Sequence, residues 1–280
     1  MHSAEVLLNC RISEERSGLS SPVGLFDSGV GGLTVLREVI RQMPMCDTIY
    51  LADNAHCPYG LRPVEEIRAL SEGITRYLLT LGVRAIVLAC NTASAAALPH
   101  LRERFPGIPF VGMVPAVKPA AALTRSGTVG VLATPTTLSG PLFSDVVERF
   151  AGGVRVLTQE CPGLVERIEA GDLDGPETKA LLWQYLDPLL DNGADVIVLG
   201  CTHYPFLAPL IQRLVGPEVQ LLDPSEAVAR QVQRVLGEGN NRGTGRHVFL
   251  STGEPGPLER AVRQFLGIEA EAQVVAVEQL

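Results

Sequence analysis

The sequence predicts an α/β protein built as two related halves, and three observations carry that reading. Short aliphatic runs end in glycine-rich or polar turns and lead into stretches with apolar residues at helical spacing, the alternation of parallel strands and covering helices. The segment GVRAIVLACNT (residues 82–92) recurs as GADVIVLGCTH (193–203), with Gly, Ile, Val, Leu and Cys in register. A fainter echo pairs VGLFDSGVGG (23–32) with VGVLATPTTLSG (129–140), each a strand candidate running into a loop of small and hydroxyl residues.

Taken in order along the chain, residues 1–21 hold a short apolar patch that Glu5, Arg11, Glu14, Glu15 and Arg16 interrupt before any secretory core forms. They are read as a disordered N-terminal extension. Strands are expected at residues 23–26, 48–51, 85–88, 110–112, 129–132, 154–157, 196–199 and 220–222, where the near-continuous apolar character suits burial on both faces. Helices are expected at 33–43, 64–81 and 178–192 from their apolar spacing. Both repeated cysteines fall where a strand ends. In open α/β sheets ligands bind beyond the carboxyl ends of strands, so two such halves facing each other would bring both thiols to one cleft.

Composition narrows the function. A chain of 280 residues can bury a sizeable core in one large or two medium domains. No apolar run reaches the roughly 18 uninterrupted residues of a membrane helix. The formal charge of −8 repels nucleic acid and anionic membrane surfaces, which are not expected as partners. Without a signal peptide the expected location is the reducing cytoplasm, where the six cysteines read as free thiols. There is no CxxC pair, and the five histidines are scattered without zinc-site spacing, so no metal is expected.

Candidate chemistry centres on the cysteines. Asn91 or Thr92 is expected to cap a helix running through Ala95, Ala96, Ala97 and Leu98, and a thiol at a helix N-terminus has its pKa lowered. Cys90 is therefore a candidate base, although a small core cysteine is the bland alternative. GCTHYPFL (200–207) repeats the arrangement, with Thr202 in the cap position and His203 two residues beyond Cys201, placed to relay its proton or favour its thiolate. A hydrolase would leave one of two matched cysteines idle. Moving an α-proton from one face of an amino acid to the other needs two acid/base groups on opposite sides, and two quasi-symmetric thiols supply them. Pyridoxal chemistry needs a Schiff-base lysine; the chain has only Lys118, lying between prolines, and Lys179. FDSGVGG (26–32) fails as a dinucleotide fingerprint because Thr34 stands where the final glycine belongs. It reads as a backbone-amide nest for a carboxylate, with Asp27 and Ser28 offering an acceptor and a hydroxyl, or as a structural turn.

Six motifs in order, FDSGVGG, DNAHCPYG (53–60), ACNTAS (89–94), VGMVPA (111–116), LATPTT (132–137) and GCTHYPFL, resemble the glutamate racemases of the cofactor-independent aspartate/glutamate racemase family. The resemblance covers about residues 22–226 and continues weakly through TGEPG (252–256). It implies two pseudo-symmetric α/β domains with mainly parallel sheets and the site in the cleft between them, the first from 22–114 plus 224–280 and the second from 115–223. By motif, Cys90 would take the α-proton of D-glutamate and Cys201 that of L-glutamate. Asp27 would assist Cys90, while His203 and Glu169 would assist Cys201; Glu169 is placed by the loosest match, CPGLVERIEAG (161–171). Substrate holding would fall to Asp27, Ser28, Tyr59, Gly60, Asn91, Thr92, Thr134, Thr137, Thr202 and His203. Pro135 and Thr136 depart from common family wording, which leaves open which of Thr134, Thr136 and Thr137 meets the side-chain carboxylate. The resemblance further implies no cofactor, a homodimer, and supply of D-glutamate for bacterial peptidoglycan. Aspartate or hydantoin racemases are the nearest rivals within this chemistry, and the Thr-His after the second cysteine favours glutamate. A binding protein without turnover is the rival from another class, and retention of both cysteines argues against it.

Overall fold

A computed structural model describes residues 21–237 and 243–276. Apart from Ser21, the predicted N-terminal extension lies outside the described residues. The chain opens with β1 (Val23–Asp27), α1 (Leu33–Gln42), β2 (Thr48–Ala52), α2 (Val64–Thr80), β3 (Ala85–Leu88), α3 (Asn91–Arg104) and β4 (Phe110–Val111). It continues through α4 (Val117–Leu123), β5 (Thr128–Ala133), α5 (Pro135–Ser139), α6 (Pro141–Phe150), β6 (Arg155–Glu160), α7 (Leu164–Glu169) and α8 (Pro176–Asp191). The last elements are β7 (Val196–Gly200), α9 (Ala208–Val215), β8 (Gln220–Leu222), α10 (Ser225–Leu236), β9 (His247–Ser251), α11 (Pro255–Leu266) and β10 (Ala272–Val274).

The fold is α/β, as expected, and its strands form two sheets ordered β10-β9-β2-β1-β3-β4 and β6-β5-β7-β8. Every pairing is parallel. The orders β2-β1-β3-β4 and β6-β5-β7-β8 are the same order, with β1 matching β5 and β3 matching β7. This is the structural form of both sequence echoes. The strands β1 and β5 are the centres, and β3 and β7, which carry the repeat, lie on the same side of them.

The central strands β1, β3, β5 and β7 are buried along their whole length, which is why their sequences are continuously apolar rather than alternating. The expectation of two-sided burial fails for β6 and β8. They are edge strands with exposed or half-exposed positions, so Arg155, Gln159 and Gln220 are tolerated there. Two strands, β9 and β10, were not expected at all. The first offers only Val248, Phe249 and Leu250 as an apolar run, and the second, AQV, is a half-exposed edge. One apolar core joins Leu25, Leu36 and Val87 of the first sheet's layer to Leu132, Leu186, Leu199 and Tyr204 of the second's. Full burial of each such side chain contributes about 1.5–3 kcal/mol relative to exposure.

Candidate active site

Asp27 ends β1 and is fully buried. Its Oδ2 accepts the Gly29 amide at 3.0 Å and its Oδ1 accepts the Thr202 hydroxyl at 3.2 Å. Burial raises its pKa above the ordinary carboxylate value, against the opposing influence of nearby His203. The loop that follows does act as an amide nest, but for the protein's own carboxylates: Gly29 serves Asp27, and Val30 donates to Glu169 Oε1 at 2.9 Å. Its glycines are there for approach. A Cβ on Gly29 would overlap Glu169, and one on Gly31 would overlap His203 and stand 2.6 Å from the Thr202 hydroxyl.

Cys90 follows β3 and is itself the N-cap of α3. In an extended conformation, its Sγ accepts the Ala93 amide at 3.4 Å, so neither Asn91 nor Thr92 caps this helix. The expected lowering of its pKa does not hold. Burial pushes the thiol well above its usual value, the negative charge of Asp27 adds to that, and the Ala93 amide only partly offsets them. Ser28 Oγ stands 4.0 Å from the sulfur.

Cys201 follows β7 at the matching position, but no α-helix begins there. A single 3₁₀ turn, Tyr204–Leu207, comes first, and Thr202 is not a cap because its hydroxyl is directed across to Asp27. The thiol is instead paired with His203, whose Nδ1 lies 3.8 Å from Sγ while Nε2 lies 2.6 Å from Glu169 Oε1. Burial opposes charge on the imidazole, but its bonds to Cys201 and Glu169 prevail and hold its pKa well above the ordinary histidine value. Burial likewise opposes charge on Glu169, and the His203 bond outweighs it and lowers that carboxyl. The two shifts describe one buried ion pair.

Ser28, Tyr59, Gly60, Cys90, Asn91, Thr92, Thr134, Cys201, Thr202 and His203 all line one cavity. Its volume is about 10 Å³, room for at most a single water. The side-chain oxygen and nitrogen of Asn91 are both buried without any hydrogen-bond partner, a costly arrangement for an amide unless a ligand completes it. Thr134 Oγ1 is 2.9 Å from both Thr92 Oγ1 and Thr137 Oγ1, and Thr134 caps α5. Thr136 is directed elsewhere, donating to the Gly60 carbonyl at 3.1 Å. The Tyr59 hydroxyl is directed to Asp53 Oδ2 at 2.5 Å, so its phenol oxygen is already engaged. Asp27, Glu169 and His203 meet beside this cavity, although 34 residues separate the last two in sequence.

Sequence reasoning missed two neighbours. Asp53 gathers Tyr59, His56 and Thr252, locking the DNAHCPYG loop to the C-terminal segment. Cys57 packs against Glu169, its Sγ 3.8 Å from Oε1. It stands inside a motif quoted above, and only the fold reveals what it faces. Among the described residues, Cys57, Glu169 and His203 are a group with ligand atoms close enough to hold a metal, which spacing along the chain could not disclose.

Two like-ordered parallel sheets each deliver a cysteine from the end of the corresponding strand into one cavity. Residues 28–232 match the model of the Asp/Glu/hydantoin racemase family, and the chain belongs to that family. It is an isomerase, and its relatives are glutamate racemases: that of Roseiflexus sp. (strain RS-1) is 57% identical over 232 residues, covering 83% of this chain and 84% of the relative. The Escherichia coli glutamate racemase in complex with L-glutamate and activator UDP-MurNAc-Ala superposes with a TM-score of 0.81 at 32% identity, over 92% of this chain and 99% of that one. The Francisella tularensis glutamate racemase in complex with D-glutamate gives 0.80 at 29% identity, over 92% and 98%.

Proposed function

We propose that this protein interconverts L- and D-glutamate by proton transfer between Cys90 and Cys201 at the α-carbon, without a cofactor. The observation that carries the reading is that both thiols line one buried cavity from matching strand ends. Starting from D-glutamate, the Cys90 thiolate removes the α-proton and the Cys201 thiol delivers another to the opposite face; the reverse direction exchanges the roles. Asp27, its basicity increased by burial, takes the Cys90 proton to prepare the thiolate. His203, held charged by Glu169, feeds and removes the proton at Cys201.

Glutamate is favoured as substrate by its presence in the relatives' names and by the supply of polar groups. The orphaned Asn91 amide offers its oxygen as an acceptor for the α-ammonium and its NH₂ as a donor to the α-carboxylate, with Asp27, Ser28, Thr202 and His203 around them. The linked hydroxyls of Thr92, Thr134 and Thr137, with Tyr59 and Gly60 beside them, form the counterpart for the side-chain carboxylate. A cavity of about 10 Å³ requires the two sheets' halves to part before an amino acid enters. We read residues 22–114 with 224–280 as one domain and 115–223 as the other, which the membership of the two sheets supports. The enzyme works as a cytoplasmic homodimer that supplies D-glutamate for peptidoglycan. Among the described residues no helix is long and apolar enough to cross a membrane.

Purified protein incubated with D-glutamate and nothing else is expected to bring the optical rotation to zero. In D₂O the product should carry deuterium at the α-carbon, since thiol protons exchange with solvent between turnovers. Unchanged rotation would overturn the reading. Expression of the chain in a bacterium that depends on added D-glutamate should remove that dependence.

A further inference from the structure

We propose that Cys57, Glu169 and His203 form a binding site for a thiophilic divalent cation such as Zn²⁺, and that its occupancy halts racemisation by seizing the pair that serves Cys201. The effect on turnover rests on the proposed function; the binding does not. The three ligand atoms, one per side chain, lie within 4.8 Å of one another. Glu169 Oε1 sits 2.6 Å from His203 Nε2 and 3.8 Å from Cys57 Sγ. Zinc holds sulfur at about 2.3 Å and nitrogen or oxygen at about 2.0–2.2 Å, so tetrahedral ligand atoms stand roughly 3.3–3.7 Å apart. The Glu169–His203 contact has to widen by up to about an ångström, and the Cys57 sulfur, 3.8 Å from Glu169 and within 4.8 Å of His203, has to draw in by at most about an ångström.

The donor set is selective. Thiolate, imidazole and carboxylate together suit zinc or cadmium rather than magnesium or calcium, which want oxygen alone. The surroundings favour positive charge, with Asp27 near the pair and Glu166 and Glu254 lining the approach. The ligands are also oriented: Val30 donates to Glu169, and Gly29 is bare, so that Glu169 and Cys57 can both close on its Cα.

An entry path exists that does not run between the catalytic thiols. A cavity of about 410 Å³ lined by Asn54, Cys57, Glu166, Glu169, Gly253 and Glu254 reaches two of the three ligands. A cation arriving this way binds with loss of the thiol and imidazole protons to solvent and leaves one coordination position toward that cavity. With its Nε2 on the metal, His203 still faces Cys201 through Nδ1 but no longer passes a proton to Glu169. Inhibition should therefore lower kcat at saturating glutamate instead of being relieved by it.

The test is a titration of the full chain, stripped by chelator, with Cd²⁺ followed by its thiolate charge-transfer absorption and with Zn²⁺ followed by activity. One cation per chain, an absorption band, and activity falling with occupancy and returning on chelation are expected. Cys57→Ser and Cys57→Ala, checked for unchanged melting temperature, should keep racemase activity in chelator. They should lose the band and weaken inhibition by about tenfold or more, since even outer partners of a metal ligand cost that much. Equal cation affinity and inhibition in the Cys57 variants would overturn the proposal, because Cys90 and Cys201 would then be the ligands. Absence of binding in an active enzyme would also overturn it while leaving the racemase reading intact. Binding lost with Cys57 in a chain that never racemises glutamate would keep the site and remove the proposed function.

Discussion

Cys90 and Cys201 occupy equivalent places in two sheets of the same strand order, yet their surroundings differ in kind. Cys90 caps a fourteen-residue helix, and its burial, reinforced by the nearby buried carboxylate of Asp27, raises its pKa despite the bond from the helix's Ala93 amide. Cys201 precedes a single 3₁₀ turn and has an imidazole backed by a second carboxylate. The shared strand order gives the two sulfurs equivalent positions, while the side chains around them place a carboxylate near one and an imidazole–carboxylate pair beside the other. The proposed chemistry does not require symmetric equipment; it requires that each sulfur can both lose and regain a proton.

The largest effect should come from removing either sulfur. Cys90→Ser and Cys201→Ser are each expected to lower racemisation by roughly 10⁴-fold, because groups that act as a unit fail together. Each should keep some α-proton exchange from one enantiomer only, measured as deuterium uptake without inversion. Equal residual two-way turnover in either variant would show that one base suffices.

The comparison sharpens with the assisting groups. Asp27→Asn and His203→Asn should each cost about 10²–10³-fold, the usual worth of a positioned acid or base. Because the enantiomers have equal free energy in water, kcat/KM must fall together in both directions. The asymmetry should appear instead in exchange, with Asp27→Asn slowing deuterium uptake into D-glutamate more and His203→Asn into L-glutamate more. Identical exchange patterns in the two variants would remove the division of labour.

A smaller effect should follow at the amide that both arms share. Asn91→Ala should raise KM for glutamate by about ten- to a hundredfold, matching the loss of hydrogen bonds to charged groups, with little change in melting temperature because the amide has no protein partner to lose. A marked loss of stability with KM unchanged would assign Asn91 to the scaffold.

The smallest effect is the dependence of stability on pH. His203, raised in the folded state, stabilises fully below its unfolded value of about 6.5 and loses that contribution as pH climbs through its folded pKa. Glu169, lowered in the folded state, contributes above its unfolded value of about 4.3 and loses it as pH falls through its folded pKa. The melting temperature should therefore be highest between those two values and decline on both sides. His203→Gln should flatten the alkaline decline.

The strands at the heart of each sheet were legible because burial on both faces writes itself as an uninterrupted apolar run, and the repeat around Cys90 and Cys201 located the site. The last two strands were not: β9 joins β2 and β10 joins β9 through backbone bonds that place weak demands on sequence. The environment of Cys90 was misjudged because helix-end reasoning counts the amides and cannot count water excluded by the rest of the fold. Glu169 was reached only through resemblance and Cys57 not at all, since their meeting with His203 joins α7, the turn after β2 and the end of β7.

The bare backbone at Gly29 and Gly31 has a consequence for timing. Hydrogen bonds cross here from Val30 to Glu169, from Thr202 to Asp27 and from Thr34 to the Thr202 carbonyl, and the parting of the halves that the proposed function calls for would break the two that hold the carboxylates. Each carboxylate then loses a donor and meets water in the same motion that lets product out. Under the proposed function, release of one enantiomer and restoration of the proton inventory would then be a single mechanical event, leaving the enzyme that closes on its next substrate with no trace of which hand it last made.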